Sequence, residues 1–265
     1  LFIDEAAQAI EAACWIAISR ADRVILAGDH CQLPPTIKCI EAARGGLGRT
    51  LLEKVVLHKP ETVSLLKIQY RMHEDIMRFP SRWFYHDELE AAPEVKYRGI
   101  LDFDTPVSWI DTSELDLQEK AVAEGTGRLN TGEAELLVRE LKNYMERIGI
   151  RRILEEHIDF GVISPYRAQV HYLRHLLKKE PFFRPCRRLI TVHTVDGFQG
   201  QERDVIMISL VRANEKGQIG FLRDLRRMNV AITRARMKLL ILGEAVTLTR
   251  HPFYRELYEY IGGLR

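Results

Sequence analysis

Two adjacent carboxylates, Asp4 and Glu5, close the apolar run LFI at the start of the chain. A buried parallel strand ending this way delivers both acids to its C-terminal edge, where open α/β sheets keep their ligands. Nucleotide hydrolysis asks for such a pair: the Asp holds Mg²⁺, usually through water, and the Glu polarises the attacking water. Taken alone, the pair serves equally well as carboxylates capping a helix over about 8–19. A second apolar run, RVILA, leads into GDHCQLPPT (28–36), where Gly28 permits a tight exit and Pro34-Pro35 stiffens the loop. Gln32 is the notable side chain, because a neutral amide can bond both a phosphate oxygen and a nucleophilic water. A solvent-facing polar loop residue is the other reading.

Four further stretches follow in order: IQYRMHEDI (68–76), GVISPYRAQV (161–170), TVDGFQGQERDVI (194–206) and RRMNVAITRAR (226–236). Together with DEAAQ and GDHCQLPPT, they resemble motifs II through VI of the superfamily 1 helicases, in the branch that includes the nonsense-mediated-decay RNA helicase and related DNA helicases. The resemblance runs over nearly the whole chain.

It implies roles residue by residue. Asp4 would be the metal ligand for the Mg²⁺ of Mg-ATP, Glu5 would activate water, and Gln32 would sense the γ-phosphate. Arg71 and Arg234 would neutralise charge on the transferring phosphoryl, a task suited to a permanently charged planar guanidinium. Arg234 is the preferred arginine finger, and Arg236 a structural or nucleic-acid contact. Tyr70 would stack on adenine, with a core tyrosine as the other possibility. Gly200 would bring the backbone to the γ-phosphate, and Glu202 would accept from the ribose hydroxyls or else pair with Arg203 or another arginine. Nucleic-acid contacts in this family go mainly to phosphates; Ser164, Tyr166, Arg167 and Thr194 match that role, although Ser164-Pro165 is also an ordinary strand-to-helix turn.

The elements that must position these groups follow from periodicity. Apolar, β-branched runs at 1–4, 23–29, 62–69, 160–164, 189–195, 204–211 and 238–243 alternate with helical patterns, which argues for parallel sheets with crossover helices. Helices are expected over 132–148, capped by Thr131, and over about 167–179. The polar stretch 111–130 is expected to be a poorly packed surface connection. The fold expectation is α/β, with tandem RecA-like (P-loop NTPase-type) parallel sheets: an incomplete first domain over 1–57, a boundary near 58–69, and a second domain over 61–265.

Composition sets the remaining limits. The 265 residues are 46% hydrophobic and 29% charged, enough for one large or two ordinary cores. No apolar stretch approaches the roughly 20 residues of a membrane span. Cys14, Cys31, Cys39 and Cys186 form no CxxC pair, so free thiols and no structural metal are expected. A net charge of +2 does not announce nucleic acid, although Arg184, Arg187 and Arg188 could form a basic strip.

The Gly-rich loop ending in Lys-Ser/Thr that wraps ATP phosphates is missing, and the dipeptide Gly-Lys occurs nowhere. With no initiator Met, the chain is expected to be the C-terminal portion of an ATP-dependent helicase or translocase acting on single-stranded DNA or RNA. Its partner would be the upstream half of the same polypeptide. A monomer in the cytoplasm, or the nucleus of a eukaryote, is expected. The alternative is a non-catalytic module binding single strands or a protein. A P-loop kinase is disfavoured because it explains neither QYRM nor TRAR.

Overall fold

The computed structural model describes residues 1–122 and 127–264, which divide into two compact units, Leu1–Leu66 and Lys67–Arg265. In the first unit, β1 (Phe2–Ile3) is followed by α1 (Glu11–Ile18) and pairs in parallel with β2 (Ile25–Leu26), Phe2 opposite Ile25. These strands are shorter than the apolar runs that announced them. Two further helices follow, α2 (Ile40–Arg44) and α3 (Leu51–His58). The start of α3 is fixed by a capping box: Glu53 N donates to Thr50 Oγ1 at 3.2 Å and Thr50 N to Glu53 Oε2 at 3.0 Å. The core of this unit is small, with Ala6, Ala7 and Leu52 buried against Ile3, Leu26 and Val56.

The second unit opens with β3 (Ile68–Gln69), α4 (Glu74–Phe84), β4 (Glu90–Ala91) and α5 (Pro93–Lys96). Of the strand expected over 62–69, only Ile68–Gln69 forms, because Pro60–Thr62 winds into a 3₁₀ turn held by Thr62 Oγ1 on Lys59 O at 2.8 Å. Next come β5 (Val107–Asp111), β6 (Lys120–Ala121), β7 (Arg128–Leu129), α6 (Thr131–Ile148), α7 (Ile150–Glu155), β8 (Phe160–Ser164), α8 (Arg167–Lys179) and β9 (Ile190–Thr194). The chain finishes through α9 (Val195–Phe198), β10 (Arg203–Ser209), α10 (Leu225–Ile232), β11 (Ala235–Gly243), α11 (Ala245–Leu248) and α12 (Pro252–Gly262).

Five of these strands form one parallel sheet in the order β5-β11-β10-β8-β9. Strand periodicity sends Val205 and Met207 to one face, where they join Phe160, Val162 and Leu242 beneath Leu137 and Leu141 of α6 and Leu173 of α8. Ile206, Ile208 and Trp109 take the opposite face, where Trp109 meets Tyr258 of α12 edge-on at 5.4 Å. The sheet is thus covered on both sides, as a parallel sheet requires.

Two expectations change. The cap of α6 is Asn130 rather than Thr131: its side chain accepts from Glu133 N at 3.0 Å. The stretch 111–130 is exposed or half-buried over most of its described length, yet it is anchored at a few buried points; residues 123–126 lie outside the described residues. β6 and β7 pair antiparallel, Asn130 is fully buried, and Glu119 meets Arg212 at 2.9 Å. Its polarity serves buried partners as well as solvent.

Candidate functional site

In the first unit the loops after β1 and β2 lie against each other. Ala6 N donates to Ala27 O at 2.8 Å, and a Cβ on Gly28 would stand 3.0 Å from Ala6 N, so glycine is what allows the approach. Asp4 and Glu5 are exposed beyond the end of β1. Asp4 Oδ1 accepts from Glu5 N at 2.8 Å, Glu5 sits at φ +50°, and Gln8 Nε2 donates to Glu5 Oε2 at 2.6 Å. Gln32 Nε2 donates to Asp29 Oδ2 at 2.8 Å, and Cys31 N to Asp29 Oδ1 at 2.9 Å. Asp29, His30 and Cys31 bring ligand atoms within 4.8 Å of one another, but both Asp29 oxygens already accept these bonds. Asp4 fits a hydrated Mg²⁺ better, as an exposed oxygen donor at a strand terminus.

The second unit gathers a charged array from three distant segments. Gln69 clamps the QYRM turn, its Oε1 accepting from Arg71 N at 2.9 Å and Met72 N at 2.7 Å. Tyr70 is left 68% exposed, which removes the reading of it as a core tyrosine. Arg71 Nε pairs with Glu202, and its Nη1 donates to Thr233 O at 3.0 Å. Glu202 Oε1 also accepts from Arg236 Nε at 2.9 Å, while Arg236 Nη1 reaches Asp204 Oδ1 at 3.1 Å. Burial works to raise the Glu202 carboxyl, but Arg71 and Arg236 outweigh it and hold it below the ordinary range. Arg203 is not the carboxylate's partner; its Nη1 reaches the Glu202 carbonyl at 2.6 Å. Gly200, exposed at φ +74°, turns the chain just before this array.

Arg234, expected to be the finger, is only 3% exposed. Its Nε donates to Val230 O at 3.0 Å, its Nη1 to Gln201 O at 3.3 Å and its Nη2 to Thr233 Oγ1 at 3.1 Å. Thr233 therefore joins Arg71 and Arg234, just as Glu202 joins Arg71 and Arg236. Gln69, Thr233 and Asp204 were not singled out by sequence; the first two stand beside Tyr70 and Arg234 in motifs already noticed.

The expected nucleic-acid contacts divide. Arg167 is exposed at the first turn of α8, and Thr194 is half-buried at the end of β9. Ser164 and Tyr166 are corrections: both are buried, Tyr166 to 2% exposure. The Tyr166 hydroxyl accepts from Arg212 at 3.4 Å, and its ring packs 5.5 Å from Phe221, so neither face is open to a base. Arg236 is spent on Glu202 and Asp204.

Beneath these residues lies a polar network that sequence reasoning missed. Glu133, fully buried, accepts from Ser209 Oγ at 2.6 Å and Val211 N at 2.8 Å; Gln169 Nε2 reaches Ser209 Oγ at 2.9 Å and Asn130 O at 2.9 Å. Burial pushes the Glu133 carboxyl up to about 7 against these hydrogen bonds. Val211 is held at φ +71°, a conformation rare for a β-branched residue.

A family model described as an AAA domain matches residues 47–246, and a second of the same description matches residues 1–39. DNA-binding protein SMUBP-2 of Rattus norvegicus is 37% identical over 269 residues, covering 97% of this chain and 26% of the relative. The uncharacterized ATP-dependent helicase MJ0104 of Methanocaldococcus jannaschii is 37% identical, with 98% of this chain and 38% of the relative covered. The regulator of nonsense transcripts 1 homolog of Drosophila melanogaster is 35% identical, with 98% and 22% covered. This chain thus spans about a fifth to two-fifths of the length of such relatives. Among solved structures, the PRRSV helicase is similar at 17% identity and a TM-score of 0.48, covering 94% of this chain and 36% of that one.

Proposed function

Because this chain belongs to the AAA-domain superfamily 1 helicases, we propose that it is the C-terminal portion of an ATP-dependent translocase that couples hydrolysis to movement on single-stranded DNA or RNA. The observation that carries the reading is the meeting of Arg71, Arg234 and Arg236 around Glu202 and Thr233. Three guanidinium groups, one from the segment at Arg71 and two from the segment at 234–236, are costly to collect unless an anion is to be met there. The family's 5′-to-3′ direction of movement is carried with the same proposal.

Each residue then has a task in its present geometry. Gln8 holds the Glu5 carboxylate in place to accept a proton from water. Asp4 would hold Mg²⁺, which supplies charge neutralisation to phosphate oxygens when bound. Gln32 is kept in position by Asp29 and would report the terminal phosphate. Tyr70 offers an open ring face to adenine. Glu202, occupied by two arginines, aims Arg71 rather than meeting a ribose. Arg71 is half-open to solvent and would meet the phosphoryl group first. Arg234 would follow by moving its Nη1 off the long Gln201 carbonyl contact. Cycles of ATP binding and hydrolysis would advance the protein along the strand.

The test is ATP turnover, with and without single-stranded DNA or RNA, of this chain beside a version extended upstream to a Gly-Lys-Ser/Thr loop. Only the extended form should turn over, with nucleic acid stimulating it. Arg234→Ala should abolish that turnover without loss of fold; normal turnover by the variant would remove Arg234 from the site. Absence of such a loop upstream would convert the reading to a non-catalytic binding module.

A further inference from the structure

α8 carries a row of basic side chains, of which only Arg167 belongs to the contacts expected above. Arg167, His171, Arg174 and Lys178 recur at the spacing that lines up one helix face, and all four are exposed. The row is about 16 Å long at helical rise. It begins at the end of the sheet where β8 stops, next to the exposed Arg167. From residue 167 to 193 the chain holds seven Lys and Arg against one acid, Glu180, in a protein of net charge +2. That acid is engaged by Lys142 at 3.7 Å, and among the described residues no carboxylate pairs with any of the seven. A cationic surface left without countercharge is built for a polyanion.

The row borders a cleft of about 400 Å³, a size at which small-molecule sites occur. Its floor is apolar, with Leu177, Ile190 and Val192, and its rim is basic, with Arg174, Lys178 and Arg187. Arg174 leans toward it, donating through Nε and Nη2 to Val192 O at 3.0 and 2.7 Å. An apolar floor inside a cationic rim matches a single nucleotide, base inward and phosphate outward.

We infer that the α8–β9 flank is a second single-strand track, along which the strand leaving the sheet end runs past Arg167, Arg174 and Lys178 and seats one unstacked base in this cleft. This rests on the reading of the protein as a single-strand translocase. Contacts of this kind are sequence-tolerant and salt-sensitive.

The experiment is fluorescence anisotropy of labelled oligo-dT and oligo-U of about 20 nucleotides, titrated with the chain between about 50 and 200 mM salt. The tighter probe is then repeated with Lys178→Glu/Arg187→Glu, with an abasic version of the probe, and against a poly-Glu peptide of matching length. Binding by the double variant should weaken about tenfold or more, with the salt slope falling by about 1.4, at ~0.7 for each single-strand phosphate contact. The abasic probe should also bind more weakly. An unchanged affinity and slope in a folded double variant would overturn the track while leaving the translocase reading intact. Equal binding of the abasic probe would overturn the base seat, and equal competition by the peptide would make the flank a protein-docking surface instead. Failure of the unaltered chain to bind either probe would also overturn the track, whereas the translocase reading stands or falls on turnover by the upstream-extended form.

Discussion

At the scale of single residues, Glu133 shows how a buried acid can be retained for what it positions. Its carboxyl ties the end of β10 to the cap of α6 through Ser209 and Val211, and it holds Val211 in the left-handed region. The cost appears as pH dependence. Because burial lifts its folded value from 4.5 to about 7, the folded chain keeps a proton that the unfolded chain releases. Stability therefore falls as pH rises through that window and levels off above about 7. Glu133→Gln should remove this dependence, so urea titrations of the two proteins should diverge by on the order of 3 kcal/mol between the ends of the window, the variant gaining at the higher pH. Parallel curves would mean that the carboxyl is hydrated in solution.

At the scale of elements, Gly161 governs how tightly the centre of the sheet is closed. It lies in β8, and a Cβ there would stand 2.5 Å from Ile206 Cδ1 and 2.9 Å from the Phe198 ring. Gly161→Ala should lower stability by about 1–3 kcal/mol through overpacking, seen as a lower urea midpoint with an unchanged slope. The same strand explains what sequence could show. β8 and β10 are buried on both faces and read as continuous apolar runs, and α6 and α8 show clean helical spacing, so all four were legible. β5, with the sequence VSWID, alternates buried Val107 and Trp109 with half-buried Ser108 and Ile110 and is too short and mixed a run to notice. Motif residues were legible as types, but their exposure was not. Tyr166 and Ser164 are polar-capable residues beside a proline, and only the packing of Phe221 and Arg212 decides that they face inward. The Glu133 network was invisible because its members lie up to 81 residues apart and only Gln169 falls within a motif.

At the scale of the whole molecule, the two units differ in what holds them. The first rests on a two-stranded pair and a few buried side chains such as Ala6, Ala7, Cys14, Leu33 and Leu52, whereas the second encloses a five-stranded sheet between helical layers. Local opening follows buried apolar contact, so the first unit should exchange amide hydrogens and admit protease well before the second. Limited proteolysis should therefore accumulate a resistant fragment beginning near Lys67, and simultaneous loss of both units would refute this ordering. The second unit's sheet has its own exposure to manage, since β9 is an edge strand and a parallel edge is a template for another chain. The Arg174 guanidinium, placed over the outward carbonyl of Val192, occupies an acceptor that an incoming strand would need. The side chain that borders the cleft would thereby also hinder a neighbouring copy from adding to the sheet at this point, giving one arginine of α8 a part in guarding the edge of β9.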